Sequence, residues 1–243
     1  MLFACLLAIL FSARADDAAT SLTLQRVKLA DTACGQACPE WLSAQGTISR
    51  GDAERLRKAL DALGPRKIPL LIHCNGGLVE EALEMGEMVR EKGLQVGVAR
   101  TTVAQCVDPA GCPDVRGSFA TLDATSFSAC TLVLAGGIGR FATPLTQVGV
   151  HQMRNAASRT VVERLYRDTY EVVNGVERFL SRELVNSQTR IVTPSTPDFE
   201  RLKQKVRLYL TDMGIDEKVW ALAMETPANE IFNLHPGDLR ALR

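Results

Sequence analysis

A strand-like run, an amphipathic helix and a second strand-like run follow one another at crossover spacing, and this unit constrains the fold more than any other feature. Ile68–Cys74 is a short apolar run with a proline near its start, broken by Asn75-Gly76-Gly77. Leu78–Lys92 places Val79, Ala82, Leu83, Met85, Gly86 and Val89 on one side, which is helical spacing. Gly93 ends that helix, and Leu94–Arg100 alternates as a strand does. Parallel strands need a connection of this length, usually a helix. The prediction is therefore an α/β protein, a parallel sheet with helices on its faces.

The rest of the chain is read around that unit. Gly51–Leu63 has apolar residues at helical spacing and stops at Gly64-Pro65. Residues 16–49 read as irregular, with a short strand near Gln45–Ile48. Val103–Asp123, with two prolines and two cysteines, reads as an ordered or disulfide-tied loop. Gly139–Thr143 and Gln147–Met153 read as short strands. Thr160–Leu184 gives the strongest helical pattern, with Val161, Leu165, Val172, Val176, Leu180 and Leu184 recurring every three or four residues. Asp198–Leu210 and Asp216–Met224 read as further helices. Residues 16–243 are thus expected to form one domain, with a core at about 45–155 and a helical C-terminal part over 156–243.

Composition narrows the partners. The 243 residues are 46% hydrophobic and 23% charged, enough apolar content for a full core. Lys+Arg and Asp+Glu are both 28, so no nucleic-acid partner is expected. The first fifteen residues, MLFACLLAILFSARA, are apolar from Met1 to Phe11 and end in Ala13-Arg14-Ala15. That is too short to span a bilayer and reads as a signal peptide cleaved before Asp16. The expected product is periplasmic or secreted, with no membrane segment in the mature chain. Six cysteines then remain: Cys34, Cys38, Cys74, Cys106, Cys112 and Cys130. An even count behind a signal peptide suggests disulfides. Cys34/Cys38 and Cys106/Cys112 could each close a small loop. Cys74 and Cys130 are as well read as buried thiols as a bonded pair. Their spacing is not that of a zinc ribbon, and neither a metal nor a cofactor is expected.

Three segments at the ends of predicted elements carry the chemistry, since α/β sites are built there. The first is Asn75-Gly76-Gly77, where a Gly-Gly turn lets another backbone approach closely. The second is Ser126-Phe127-Ser128-Ala129-Cys130, opening an apolar helix, where a serine is either an N-cap or a nucleophile. The third is Gly149-Val150-His151 at the end of a strand.

In this order the three segments resemble the ClpP/crotonase-like superfamily, and within it the periplasmic ClpP-like serine-protease branch. Leu134-Ala135-Gly136-Gly137 and Arg140 fit the same pattern. The resemblance covers about residues 45–155 and implies a ClpP/crotonase-like fold, a mostly parallel sheet built from ββα units. It implies Ser128 as nucleophile, His151 as its general base, and the amides of Gly77 and Ala129 as the oxyanion hole. Gly76, Leu78 and Val79 would bind an extended polypeptide substrate as an added strand. Thr160–Leu184 would match the long helix that packs subunits, so a homo-oligomer is implied. Asn229, in Thr226-Pro227-Ala228-Asn229-Glu230, falls where the branch carries the aspartate that orients the histidine; Glu225 and Glu230 lie close by as substitutes. The implied activity is peptide hydrolysis. The competing expectations are a catalytically weak ClpP-like scaffold, favoured by Asn229, and an acyl-CoA enzyme on the crotonase scaffold.

Overall fold

The computed structural model describes residues 21–30, 34, 38–104 and 115–235. The expected signal peptide and the Cys106/Cys112 pair lie outside the described residues. The architecture is α/β. A ten-stranded sheet, mostly parallel around the site, carries helices on its face, and a separate two-stranded hairpin projects from it. The α/β class expected from the sequence, with helices packed on a sheet, is the one observed.

The N-terminal region is more regular than its sequence suggested. Strand β1 (Thr23–Leu29) pairs antiparallel with β2 (Glu40–Ile48), and β2 pairs in parallel with β3 (Leu70–Gly77). Between β2 and β3 lies helix α1 (Asp52–Ala62), and after β3 comes α2 (Val79–Lys92), both close to their predicted bounds. Then follow β4 (Gln95–Val98), β5 (Arg100–Val103) and β6 (Arg116–Ala120). Strand β6 lies in the region read as a loop; it pairs with β5 and β1. A disulfide closes Cys34 to Cys38 just ahead of β2.

Strand β3 is the branch point of the sheet. Its first half, Leu70–Ile72, pairs with β4, whereas Cys74 pairs with Ser126 of β7 (Thr125–Phe127). One branch continues from β4 to β8 (Gly139–Phe141). The other continues from β7 to β9 (Gln147–Val150) and on to β12 (Phe232–Asn233). Between β7 and β8 sits α3 (Cys130–Gly136), a short apolar helix buried over most of its length. The core lies between sheet and helices and includes Leu42, Leu56, Leu70, Ile72, Leu83, Met85 and Leu134.

The expected helix over Thr160–Leu184 is not there. Residues Arg159–Val173 (β10) and Val176–Val192 (β11) form a long antiparallel hairpin, and the helical part of the C-terminal region begins only at α4 (Pro197–Asp212) and α5 (Glu217–Glu225). The segment is rich in β-branched and aromatic residues, which suit a strand better than a helix. Its turn is Asn174-Gly175, with φ of 52° and 79°. Positive φ at both central residues is the turn that matches strand twist, and Asn-Gly is its preferred pair.

Both C-terminal helices lock onto the core. The Tyr209 hydroxyl donates to the Leu132 carbonyl at 2.8 Å, and burial pushes its pKa up. Arg90 donates to the carbonyls of Ala135 and Met213 at 3.2 and 3.1 Å, tying the end of α4 to α3. No helix of the described residues is long and apolar enough to cross a membrane.

Candidate active site

The branching of the sheet brings the three predicted segments together. Strands β3, β7 and β9 lie side by side, and all three C-terminal ends fall at one edge. The pairing of Cys74 with Ser126 sets Gly76 level with Ser128. The pairing of Phe127 with Gly149 sets Ser128 beside Val150, one residue before His151. The Ser128 amide donates to the Gly149 carbonyl at 2.9 Å, which fixes that register at the turn itself. Ser128, His151, Gly76, Gly77, Val79 and Ala129 all line a single cavity of about 970 Å³.

Ser128 has φ of +55°. A left-handed backbone on a residue with a Cβ costs energy, and such strain persists where the surroundings hold it. Here the strand ends, the chain reverses, and α3 begins two residues later. The side chain is thereby turned out of the sheet, half-buried at the cavity. Ser126, two residues earlier, is fully buried, and its hydroxyl has no hydrogen-bond partner. The left-handed turn at Ser128, just past the end of β7, therefore separates the two serines into a core residue and a cavity residue.

Gly76 and Gly77 allow the close approach. A Cβ at Gly76 would lie 3.1 Å from the Ser128 Cβ, and one at Gly77 would collide with the Ile48 carbonyl. Their φ values, 116° and 133°, are ones a side chain resists. The Gly76 amide points at Cys130 Sγ at 2.8 Å, and the Leu78 amide donates to the Ile48 carbonyl at 3.0 Å. Leu78, expected to bind substrate, thus spends its amide inside the fold and is itself 44% exposed. Behind the turn, Cys74 and Cys130 form a buried disulfide that ties β3 to the first residue of α3. Of the two readings the sequence left open for this pair, the bonded one holds.

His151 is half-buried, and its pKa is lowered first by burial and second by the positive charge of Arg154. The imidazole is therefore neutral at neutral pH, the form a general base needs. Its Nδ1 is buried and has no hydrogen-bond partner. Asn229 is exposed in the turn between α5 and β12, and no hydrogen bond joins it to His151. Glu225 and Glu230 are exposed as well. The structure thus brings Ser128, His151, Gly77 and Ala129 to one cavity, and leaves the expected orienting residue outside that set.

Two parts of the cavity were not predicted. One wall is apolar and comes from the C-terminal helices: Val206 and Leu210 of α4, and Val219 and Trp220 of α5. Helical spacing was visible in that part of the sequence, but not what it packs against. The other end is polar: Thr23, Gln45, Thr47, His73, Asn75 and Arg100. His73 lies within the apolar run Ile68–Cys74. Alternation along β3 sends Ile72 and Cys74 into the core and His73 and Asn75 to the opposite face. The His73 Nδ1 accepts from the Thr125 amide at 3.1 Å, so Nε2 carries the proton; burial and Arg100 both lower its pKa.

No family model matches the sequence, and no curated protein does. Among solved structures, a protein of Streptomyces coelicolor A3(2), described as a candidate enoyl-CoA hydratase, is similar at 16% identity with a TM-score of 0.28. The match covers 59% of this chain and 53% of that one, so the chain spans about half the length of that structure.

Proposed function

We propose that the protein is an exported ClpP-like serine peptidase that cleaves an extended polypeptide. The observation that carries this reading is the left-handed Ser128, packed against Gly76 just past the end of β7, in a cavity that His151 also lines. A serine hydroxyl is a weak nucleophile unless a neighbouring base takes its proton. In this reading Ser128 Oγ attacks the peptide carbonyl and His151 receives the proton. The amides of Gly77 and Ala129 receive the charge on the carbonyl oxygen. His151 returns the proton to the leaving amine, and water then releases the acyl group. The apolar wall of Val206, Leu210 and Trp220 offers a seat for an apolar side chain of the substrate. Two disulfides among the described residues are compatible with an oxidising compartment.

Assembly into a homo-oligomer belongs to the same reading, with the hairpin in place of the expected helix. Tyr166, Tyr170, Phe179 and Leu184 share one exposed face, where Tyr170 and Phe179 meet edge to face and Arg182 lies over Tyr166. A two-stranded hairpin is marginal in water without something covering such a face. The cross-strand ion pairs Glu163–Arg190, Asp168–Arg182 and Glu171–Arg178 balance charge along the arm, so a second copy meets no like-charge block.

One observation favours the scaffold alternative. With Nδ1 of His151 unpartnered, no carboxylate at that atom steadies the imidazolium that forms during acyl transfer. The deciding experiment is labelling of the purified protein with a fluorophosphonate probe, with Ser128→Ala as control. Labelling confined to the unmodified serine supports the peptidase. Absence of labelling, or labelling untouched by Ser128→Ala, leaves the scaffold reading.

A further inference from the structure

The cavity has a sign. Arg100 and Arg154 line it, and among the described residues no aspartate or glutamate does. Most arginines of the hairpin and C-terminal helices face a carboxylate, as Arg167, Arg178, Arg182, Arg190, Arg201 and Arg207 do. Neither Arg100 nor Arg154 has an acidic partner among the described residues. A cavity lined by cations and lacking acids draws an anionic ligand.

The polar end is built to hold such a ligand in one place. Arg100 precedes Thr101, whose backbone is gripped from both sides by the Gln45 amide. The Thr101 N–H donates to Gln45 Oε1 at 2.8 Å, and Gln45 Nε2 donates to the Thr101 carbonyl at 3.0 Å. The Thr101 hydroxyl also accepts from the buried Trp41 indole at 3.0 Å. Arg100 therefore leaves a fixed point, and its guanidinium donates to the Leu122 carbonyl at 3.3 Å. Thr125 does the same for the other two side chains. Its amide occupies His73 Nδ1, which leaves the ring a donor through Nε2–H. Its hydroxyl donates to Asn75 Oδ1 at 2.9 Å, which leaves the Asn75 amide group as a donor. The three side chains offer only donors, and Asn75 directly precedes Gly76 against Ser128.

We propose that Arg100, His73 and Asn75 form a carboxylate subsite, and that the substrate carries a carboxylate close to the bond presented to Ser128. A guanidinium fork with two further N–H donors matches the two oxygens of a carboxylate. That carboxylate belongs either to an Asp or Glu side chain or to a free C-terminus. The inference names the substrate class of the proposed peptidase; binding itself does not depend on turnover.

The test uses fluorescent peptides on the Ser128→Ala protein, read by anisotropy. One set carries a single Glu at successive positions, a second carries Gln in its place, and each is made with a free and an amidated C-terminus. The expected result is binding of one carboxylate-bearing form about tenfold tighter than its neutral twin. Arg100→Gln should abolish that preference and Arg100→Lys should restore part of it. The Glu arm and the free-terminus arm separate the two sources. Equal binding of charged and neutral twins overturns the subsite. So does a preference that survives Arg100→Gln. Should Ser128→Ala not fold, the same peptides are ranked by how far they slow probe labelling of the wild-type serine. A wild-type protein that resists the probe while Ser128→Ala still prefers the carboxylate sinks the peptidase reading and leaves the subsite standing.

Discussion

Ser128 and Ser126 are two positions apart in sequence, yet one lines the cavity and the other is fully buried. Sequence offered both as nucleophiles, because a period of two puts them on one face and carries no sign of the left-handed turn at Ser128. Burial decides: Ser126→Ala removes an unpartnered hydroxyl from the core and is expected to leave probe labelling intact, whereas Ser128→Ala removes it. For His151 the expectation concerns pH. Burial and Arg154 hold its pKa below the ordinary 6.5, so the base stays neutral to lower pH. The rate of Ser128 labelling should be flat through neutrality and fall only as pH drops below 6.5, through the lowered pKa. Arg154→Ala should move that acid limb upward. A limb above 6.5 in the wild type would contradict the burial argument. Asn229→Asp should leave the limb where it is, because Asn229 makes no bond to the imidazole; a clear shift would place a carboxylate at Nδ1 after all. This residue was the least legible in the sequence, since a loop position carries no periodicity to say where its side chain lies.

At the scale of elements, the strands and helices around the site were readable because each has one period and one clear break. Gly64-Pro65, Asn75-Gly76-Gly77 and Gly93 punctuate the crossover unit, and α1 and α2 fall within a residue or two of expectation. Strands β1 and β2 were missed or shortened. The run Glu40–Ile48 mixes Ser, Gln, Gly and Thr among its apolar residues, and only pairing with β1 and β3 makes it a central strand. The hairpin failed for the opposite reason. Two register shifts, at Leu165/Tyr166 and Thr169/Tyr170, break the strict alternation and leave apolar residues at a spacing that imitates a helix. The Asn174-Gly175 turn was the signal that distinguishes them. Gly175→Val should therefore lower the β content seen by circular dichroism and destabilise the arm, because φ of 79° suits no β-branched residue. Tyr170→Glu with Phe179→Glu puts like charges on the aromatic face. By light scattering it should convert an oligomer to a smaller species while the core still melts cooperatively. A wild-type protein that is monomeric at micromolar concentration would remove the arm's role in assembly.

For the molecule as a whole, one covalent link coincides with the point on which the site depends. The sheet branches at β3, and the ends of β3, β7 and β9 meet only if the two branches keep their spacing. Cys74 of β3 and Cys130, the first residue of α3, are bonded there, 56 residues apart in sequence and both buried. Closing a loop of that length removes unfolded-state entropy worth about 4 kcal/mol. Replacing both residues, Cys74→Ala with Cys130→Ala, avoids leaving a lone buried thiol and should lower Tm by roughly 10 °C in a domain this size. The same link bears on chemistry. Cys130 Sγ receives the Gly76 amide, and Gly76 packs against Ser128, so the link helps set how the Gly-Gly turn faces the serine. Probe labelling of Ser128 in the double variant, measured well below its own Tm, should therefore slow by more than the loss of folded protein explains. If labelling per folded molecule is unchanged, the disulfide holds the fold together but does not position the site. The branch point would then keep its spacing through the β3–β7 and β7–β9 pairings alone.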